Sequence, residues 1–188
     1  MSDSIFTDPK VKKKVVFVGS LSLLIIGIEF INLLLGHSLN SFGIHPGKIS
    51  GLVGIVASPF LHGSMNHLLS NIGPFVVLSG FIIWRSVAHY IKISLFIMIA
   101  TGLMVWTLAS SSSIIVGASG VIFGYFGYLI SRACFERSSN DILIAILVMF
   151  FYGGMIFGVF PGTPGVSWES HLFGFISGFG AAWLWRKK

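Results

Sequence analysis

The apolar residues of this chain come in runs long enough to cross a bilayer, and they are too many for a soluble fold of this size to bury. A spanning helix needs roughly 20 mostly apolar residues. Six segments approach that length, near residues 15–35, 67–84, 91–109, 119–130, 142–160 and 168–185. Of the 188 residues, 54% are hydrophobic and only 10% are charged, whereas a soluble domain carries about a quarter charged residues. Six Asp+Glu and twelve Lys+Arg cannot cover a globular surface of this size, so lipid must solvate most of it. The expected fold class is therefore all-α membrane, a bundle of six transmembrane helices. The fourth run is short unless 114–118 also lies at membrane depth. That shortness points to a helix starting inside the bilayer, with irregular backbone protected by its neighbours.

The basic residues set the orientation. Lys10, Lys12, Lys13 and Lys14, then Arg85 and Lys92, then Arg132 and Arg137, then Arg186, Lys187 and Lys188 all fall on one face of such a bundle. Of the twelve Lys+Arg only Lys48 falls on the other. The positive-inside tendency then puts both termini in the cytoplasm, in agreement with an even number of spans. The organisation that follows is a cytoplasmic segment 1–14, a six-span domain 15–185 and a cytoplasmic tail 186–188. Nothing at the N-terminus resembles a cleaved signal peptide, because Asp3 and Asp8 precede the Lys cluster and the next apolar run is a full span. The outer connection 36–66 is about thirty residues long, which marks a functional or interface-lying loop. The FPGTPGVS stretch at 160–167 reads as a tight Pro/Gly turn.

Several function classes fall away. The net charge of +6 sits in short clusters between apolar runs, not in a stripe with aromatics, so nucleic acid is not an expected partner. A single cysteine, Cys134, excludes an intrachain disulfide and a multi-cysteine metal site. No H-E-x-x-H occurs and no carboxylate pair recurs in the spans, so neither a metal nor another cofactor is expected. No long internal repeat indicates an inverted-repeat transporter.

Polar residues inside spans are costly and each is a candidate functional group. His67 and Asn71 lie in the first two turns of the second span, Ser119 at the outer start of the fourth, and His171 one turn into the sixth. Topology thus brings Ser, His, His and Asn from three helices to a similar depth below the outer face. Each has a plainer reading. Ser119 in GASG (117–120) resembles a small-residue packing device. His171 alone reads as a structural or proton-relay histidine. The i, i+4 pair His67 and Asn71 suits an interhelical polar contact. Glu29 reads as an interhelical hydrogen-bond partner and His62 as a structural residue of the outer loop.

Together the four residues fit acyl transfer by an activated serine. A hydroxyl nucleophile needs an adjacent base, which an imidazole from another helix supplies. The oxyanion needs preorganised donors: the Asn71 amide, a His67 ring N–H and the Ser119 backbone N–H. Gly117 and Gly120 clear side chains from around the serine, so that a substrate backbone can approach. No acid matches as a third member. Glu169 precedes His171 by two residues and points elsewhere on a helix, and the depth of Glu29 does not match.

H-G-S-M-N-H-L-L-S-N (62–71), G-A-S-G-V-I-F-G (117–124) and S-H-L-F-G-F-I-S-G (170–178), in that order, resemble the motifs of the rhomboid intramembrane serine proteases. The resemblance implies a six-span rhomboid-like bundle with a long interfacial first outer loop. Ser119 would be the nucleophile and His171 the base, with His67, Asn71 and the Ser119 N–H forming the oxyanion hole. Gly117 and Phe123 would border the substrate, and Gly174 would let the sixth span pack on the fourth. Two departures stand out. Phe123 takes the place of a frequent Tyr, which keeps ring stacking on the histidine and loses a hydroxyl. The outer loop also has no Trp-Arg pair to anchor it.

The expected activity is cofactor-free hydrolysis of peptide bonds in or near the transmembrane segments of single-pass substrates, close to the outer face of a cell (plasma or inner) membrane. Two other readings stay open: a non-cleaving relative that binds membrane clients, and a small channel or transporter. Neither the oligomeric state nor the physiological substrate is legible.

Overall fold

The computed structural model describes residues 8–110, 114–162 and 165–186. Residues 1–7, Thr163 and Pro164 of the Pro/Gly turn, and Lys187 and Lys188 of the basic tail lie outside the described residues. The architecture is all-helical: α1 (Pro9–Leu34), α2 (Gly54–Ala57), α3 (Met65–Ile83), α4 (Val87–Leu108), α5 (Ser119–Glu136), α6 (Ser139–Tyr152) and α7 (Trp168–Leu184). The seventh helix, beyond the six expected, is α2, a turn of 4 residues inside the outer connection. Among the described residues four stretches are long and apolar enough to cross a membrane: Pro9–Leu34, Met65–Ile83, Val87–Leu108 and Ser139–Val159. The last joins α6 to a 3-10 segment, Gly153–Val159.

The two remaining helices differ for a physical reason. Helix α7 has 17 residues, and α5 carries glycines, tyrosines, Arg132 and Glu136 among its apolar residues. Helix α5 is buried without a break from Gly120 to Leu129, so it meets other helices and not lipid. A helix in that position is selected for small and hydrogen-bonding residues, not for hydropathy. Helix α6 is the opposite case, with Phe150 and Phe151 exposed and only Asp141 and Val148 buried.

Local chemistry fixes most helix starts. Ser64, Ser86, Ser138 and Ser167 each accept a hydrogen bond from an amide three residues on, that of His67, His89, Asp141 and Ser170 respectively. Asp8 accepts from the Lys10 amide with Pro9 at the first helical position. These are ordinary N-caps.

One end of the bundle gathers the basic residues. Lys14 Nζ donates to the Trp84 carbonyl at 2.6 Å, and Arg85 grips Glu136 through two bonds of 2.8 and 2.5 Å. Arg132 pairs with Asp141, Lys92 lies 4.8 Å over the Trp185 ring, and Arg186 covers Phe135. These contacts join the starts of α1, α4 and α6 to the ends of α3, α5 and α7. Consecutive long helices therefore alternate in direction.

At the opposite end the long connection is tied down by its backbone. Buried Glu29 accepts from the His62 amide at 3.1 Å and from Asn32 Nδ2 at 3.0 Å. Asn32 and Asn40 both donate to the His62 carbonyl. Trp106 at the end of α4 donates through Nε1 to Lys48 O at 2.7 Å and accepts from the Gly47 amide at 2.8 Å. Trp106 and Asn32 thus supply the anchoring for which the loop itself has no Trp-Arg pair. Ile44 and Ile115 exchange both backbone bonds, each at 2.9 Å.

Helices α5 and α7 approach until backbone meets backbone. A Cβ on Gly174 would lie 2.1 Å from Gly120 O, and one on Gly178 would lie 2.0 Å from Gly124 O. Overfilling a packed contact costs about 1–3 kcal/mol, so Gly178→Val should lower the unfolding midpoint of the purified protein in detergent. Gly80→Ala is the control, because a Cβ there meets nothing within 4 Å. It should leave the midpoint unchanged or slightly raised. Equal midpoints for wild type and Gly178→Val would remove the close-packing account.

Candidate active site

A cavity of about 610 Å³ opens between α3, α5 and α7, away from the basic end. His67, Asn71, Ser119, Phe123 and His171 all line it, so four of the polar residues singled out in the sequence share one chamber. Gly117 does not line it. Its α-carbon lies under the His67 ring, and a Cβ there would be 2.6 Å from His67 Cε1. With φ of +120°, this position favours glycine both by conformation and by contact. The close approach brings the His67 ring beside the turn that leads into Ser119.

Ser119 is the first residue of α5, and its helix start is unlike those of the other long helices. Ala118 stands at the cap and provides no side-chain hydrogen bond. The first amides of α5 are left without an internal acceptor, and the helix dipole adds positive potential at the same point. Negative charge developing beside Ser119 would be stabilised there.

The His171 ring is held on two sides. It stacks on Phe123 with centroids 4.0 Å apart and planes 5° from parallel. Its Nδ1 lies 2.9 Å from the Gly158 carbonyl, and a carbonyl only accepts, so Nδ1 carries the proton. In the neutral ring the basic lone pair is then on Nε2. Among the described residues the ring makes no other hydrogen bond, and none to the Ser119 hydroxyl. Such bonds are often loose in empty sites and tighten with substrate bound. Gly158 has no signature in the sequence, because its contribution is a backbone oxygen. It also has to be small: a Cβ there would meet Phe123 Cζ at 2.7 Å.

Asn71 Nδ2 spends one hydrogen on the His67 carbonyl at 2.7 Å, which leaves its second for the cavity. Neither glutamate considered as a third member bonds the His171 ring among the described residues. Glu29 binds the outer connection, while Glu169 has, among those residues, only the Ser110 and Ser167 hydroxyls near it, at 3.4 and 3.5 Å. The His171 ring has a backbone partner in place of an acid.

His62 sits behind His67, its ring edge-on at 5.0 Å between centroids. It is fully buried, and neither ring nitrogen has a partner among the described residues. Burial, aided by any positive charge on His67, pushes its pKa from 6.5 down to about 4. A folded-state value below the unfolded one means stability is intact above about pH 6.5 and is lost as pH falls toward 4. The loss from this group is roughly 1.4 kcal/mol per pH unit in that window. His62→Leu should flatten the acid limb of the unfolding midpoint against pH. Parallel acid limbs for wild type and variant would mean that His62 protonates without cost.

With the site described, the similarities of the chain become informative. An uncharacterized protein of Mycobacterium tuberculosis is 35% identical over 165 residues, covering 84% of this chain and 69% of that protein. One of Mycobacterium leprae is 36% identical over 165 residues, covering 84% of this chain and 65% of its own length. RHOMBOID-like protein 4 of Arabidopsis thaliana is 30% identical over 130 residues, which is 66% of this chain and 32% of that protein. The model of the Rhomboid domain matches residues 49–188, most of the chain including α3 to α7 and the whole cavity wall, and the chain therefore belongs to the rhomboid family.

Proposed function

We propose that this chain is an intramembrane serine endopeptidase that hydrolyses peptide bonds in or near the transmembrane segments of single-pass membrane proteins. The observation that carries the proposal is the convergence of Ser119, His171, His67 and Asn71 from three helices on one cavity. The Ser119 hydroxyl oxygen attacks the scissile carbonyl carbon while its proton passes to His171 Nε2. The tetrahedral oxyanion is held by Asn71 Nδ2, a His67 ring N–H and the uncapped start of α5. Collapse breaks the C–N bond, and the leaving amine takes the proton from Nε2. Water, deprotonated by the same nitrogen, then releases the acyl group from Ser119.

The substrate must unwind, since a helix hides its carbonyls in i→i−4 bonds. Residues 114–116 offer an edge for it. Ile115 gives both backbone groups to Ile44, so those of Ile114 and Val116 face the other way, where both residues line cavity space. Phe123 borders the chamber, and Gly117 lets the His67 ring close on the turn that leads into Ser119.

In this reading the six long helices all span a cell membrane, with the basic end and both termini in the cytoplasm. The cavity opens outward. Exposed Phe42, Ile49, Val53 and Val56 seat the outer connection on the interface. Cys134, the single cysteine of the chain and exposed near the cytoplasmic end of α5, tests the orientation without mutation. A membrane-impermeant maleimide should label it in inside-out vesicles and spare it in right-side-out ones; the reverse pattern would invert the topology.

The activity is tested with a fluorophosphonate probe on purified wild type, Ser119→Ala and His171→Ala. Wild type should label and both variants should fall to background. Labelling that survives Ser119→Ala, or folded wild type that never labels, would remove Ser119 as nucleophile. The chain would then read as a rhomboid relative that binds membrane clients without cutting them.

A further inference from the structure

A second chamber of about 500 Å³ adjoins the first, and Gly63, His67, Ile115, Val116 and Ser167 belong to the walls of both. Its far wall carries Asn40 and Glu169. Glu169 is a carboxylate only 8% exposed, and among the described residues its hydrogen bonds are long. Ser110 Oγ approaches Oε1 at 3.4 Å and Ser167 Oγ approaches Oε2 at 3.5 Å, against an ordinary O–H···O separation of about 2.7–2.8 Å. Among the described residues it makes no ion pair. A carboxylate removed from water is costly unless a charged donor meets it. Its place in the first turn of α7 gives some dipole stabilisation, which does not account for its presence on a chamber wall.

We propose that this chamber is a substrate subsite for a cationic side chain, Arg or Lys, with Glu169 as its ion-pair partner and Asn40 as a further acceptor. The inference rests on the protease reading and extends it. An extended segment lying along 114–116, with its scissile bond at Ser119, passes the mouth of this second chamber. A residue a few positions from the cut can then direct a long basic side chain to Glu169. Ile114, Ile115 and Val116 line the same chamber as Glu169, and Arg and Lys carry their charge at the end of a long stem that can reach into it.

The test uses the full chain in lipid nanodiscs and a set of single-pass peptide segments. One Arg, Gln, Glu or norleucine is stepped through the positions flanking a Gly-containing cleavage region. Two quantities are read: kcat/KM with wild type, Glu169→Gln and Glu169→Lys, and equilibrium binding to Ser119→Ala with and without Glu169→Gln. At one position Arg should exceed Gln and norleucine by about tenfold, as expected for a charge-assisted bond. Glu169→Gln should abolish that preference and Glu169→Lys should turn it toward Glu. No Arg-preferring position in either readout, or a preference that survives Glu169→Gln, overturns the subsite. Arg-selective binding lost in Glu169→Gln, from a wild type that neither cuts nor labels with the fluorophosphonate, upholds the subsite and discards the protease reading.

Discussion

The contact of α5 with α7 governs everything else in this molecule. Ser119 and His171 stand on these two helices, and each lies within a turn of a glycine at the place where the backbones touch. Gly174 faces Gly120 O and Gly178 faces Gly124 O at separations that admit no side chain. Two helices in lipid gain no hydrophobic free energy from meeting. Their association depends on close van der Waals contact and on buried polar bonds such as Thr101 Oγ1 to Ser177 Oγ at 3.1 Å. A rigid seam of this kind sets the spacing of Ser119 and His171 more closely than loops would, as the proposed dyad requires.

Around that seam the polar groups divide into two sets with different tasks. At the basic end Arg85, Glu136, Arg132 and Asp141 pair with one another, and with the Lys14 and Lys92 contacts they fasten helix ends together. At the other end Glu29, Asn32 and Asn40 converge on the backbone of His62. The second set matters for the cavity, because His62 supports the ring of His67 from behind. Glu29 on α1 is thus linked to the His67 wall of the cavity through an amide, a loop and a ring. Only the first link in that chain is electrostatic.

The stacking of Phe123 on His171 bears on the departure from a tyrosine at that position. The rings lie parallel at 4.0 Å, so the orienting function of an aromatic neighbour is met by apolar contact alone. The second restraint on the imidazole comes from Gly158 in the 3-10 continuation of α6. That helix is the most exposed of the bundle, so the His171 ring is held in part by its least buried element.

Much was legible before any coordinates. The apolar runs declared helices because a bilayer leaves the backbone few ways to satisfy its hydrogen bonds, whereas the serine caps at 64, 86, 138 and 167 emerged only with the structure. The residues Ser119, His171, His67 and Asn71 could be singled out because polar groups in such runs are rare. What the fourth run understated was the length of α5, which continues to Glu136: hydropathy measures exposure to lipid, and a helix enclosed by its neighbours has little to report. The loop anchor at Trp106 was likewise invisible, since it pairs the indole N–H with the Lys48 carbonyl 58 residues away in sequence and the Trp106 carbonyl with the Gly47 amide. The sequence by itself determined the kind of fold and the chemical groups at its centre, because both follow from side-chain identity against a known solvent. Only the tertiary structure decided which nitrogen of His171 is basic and what Glu169 faces, because a backbone carbonyl and an empty chamber have no letter in the chain.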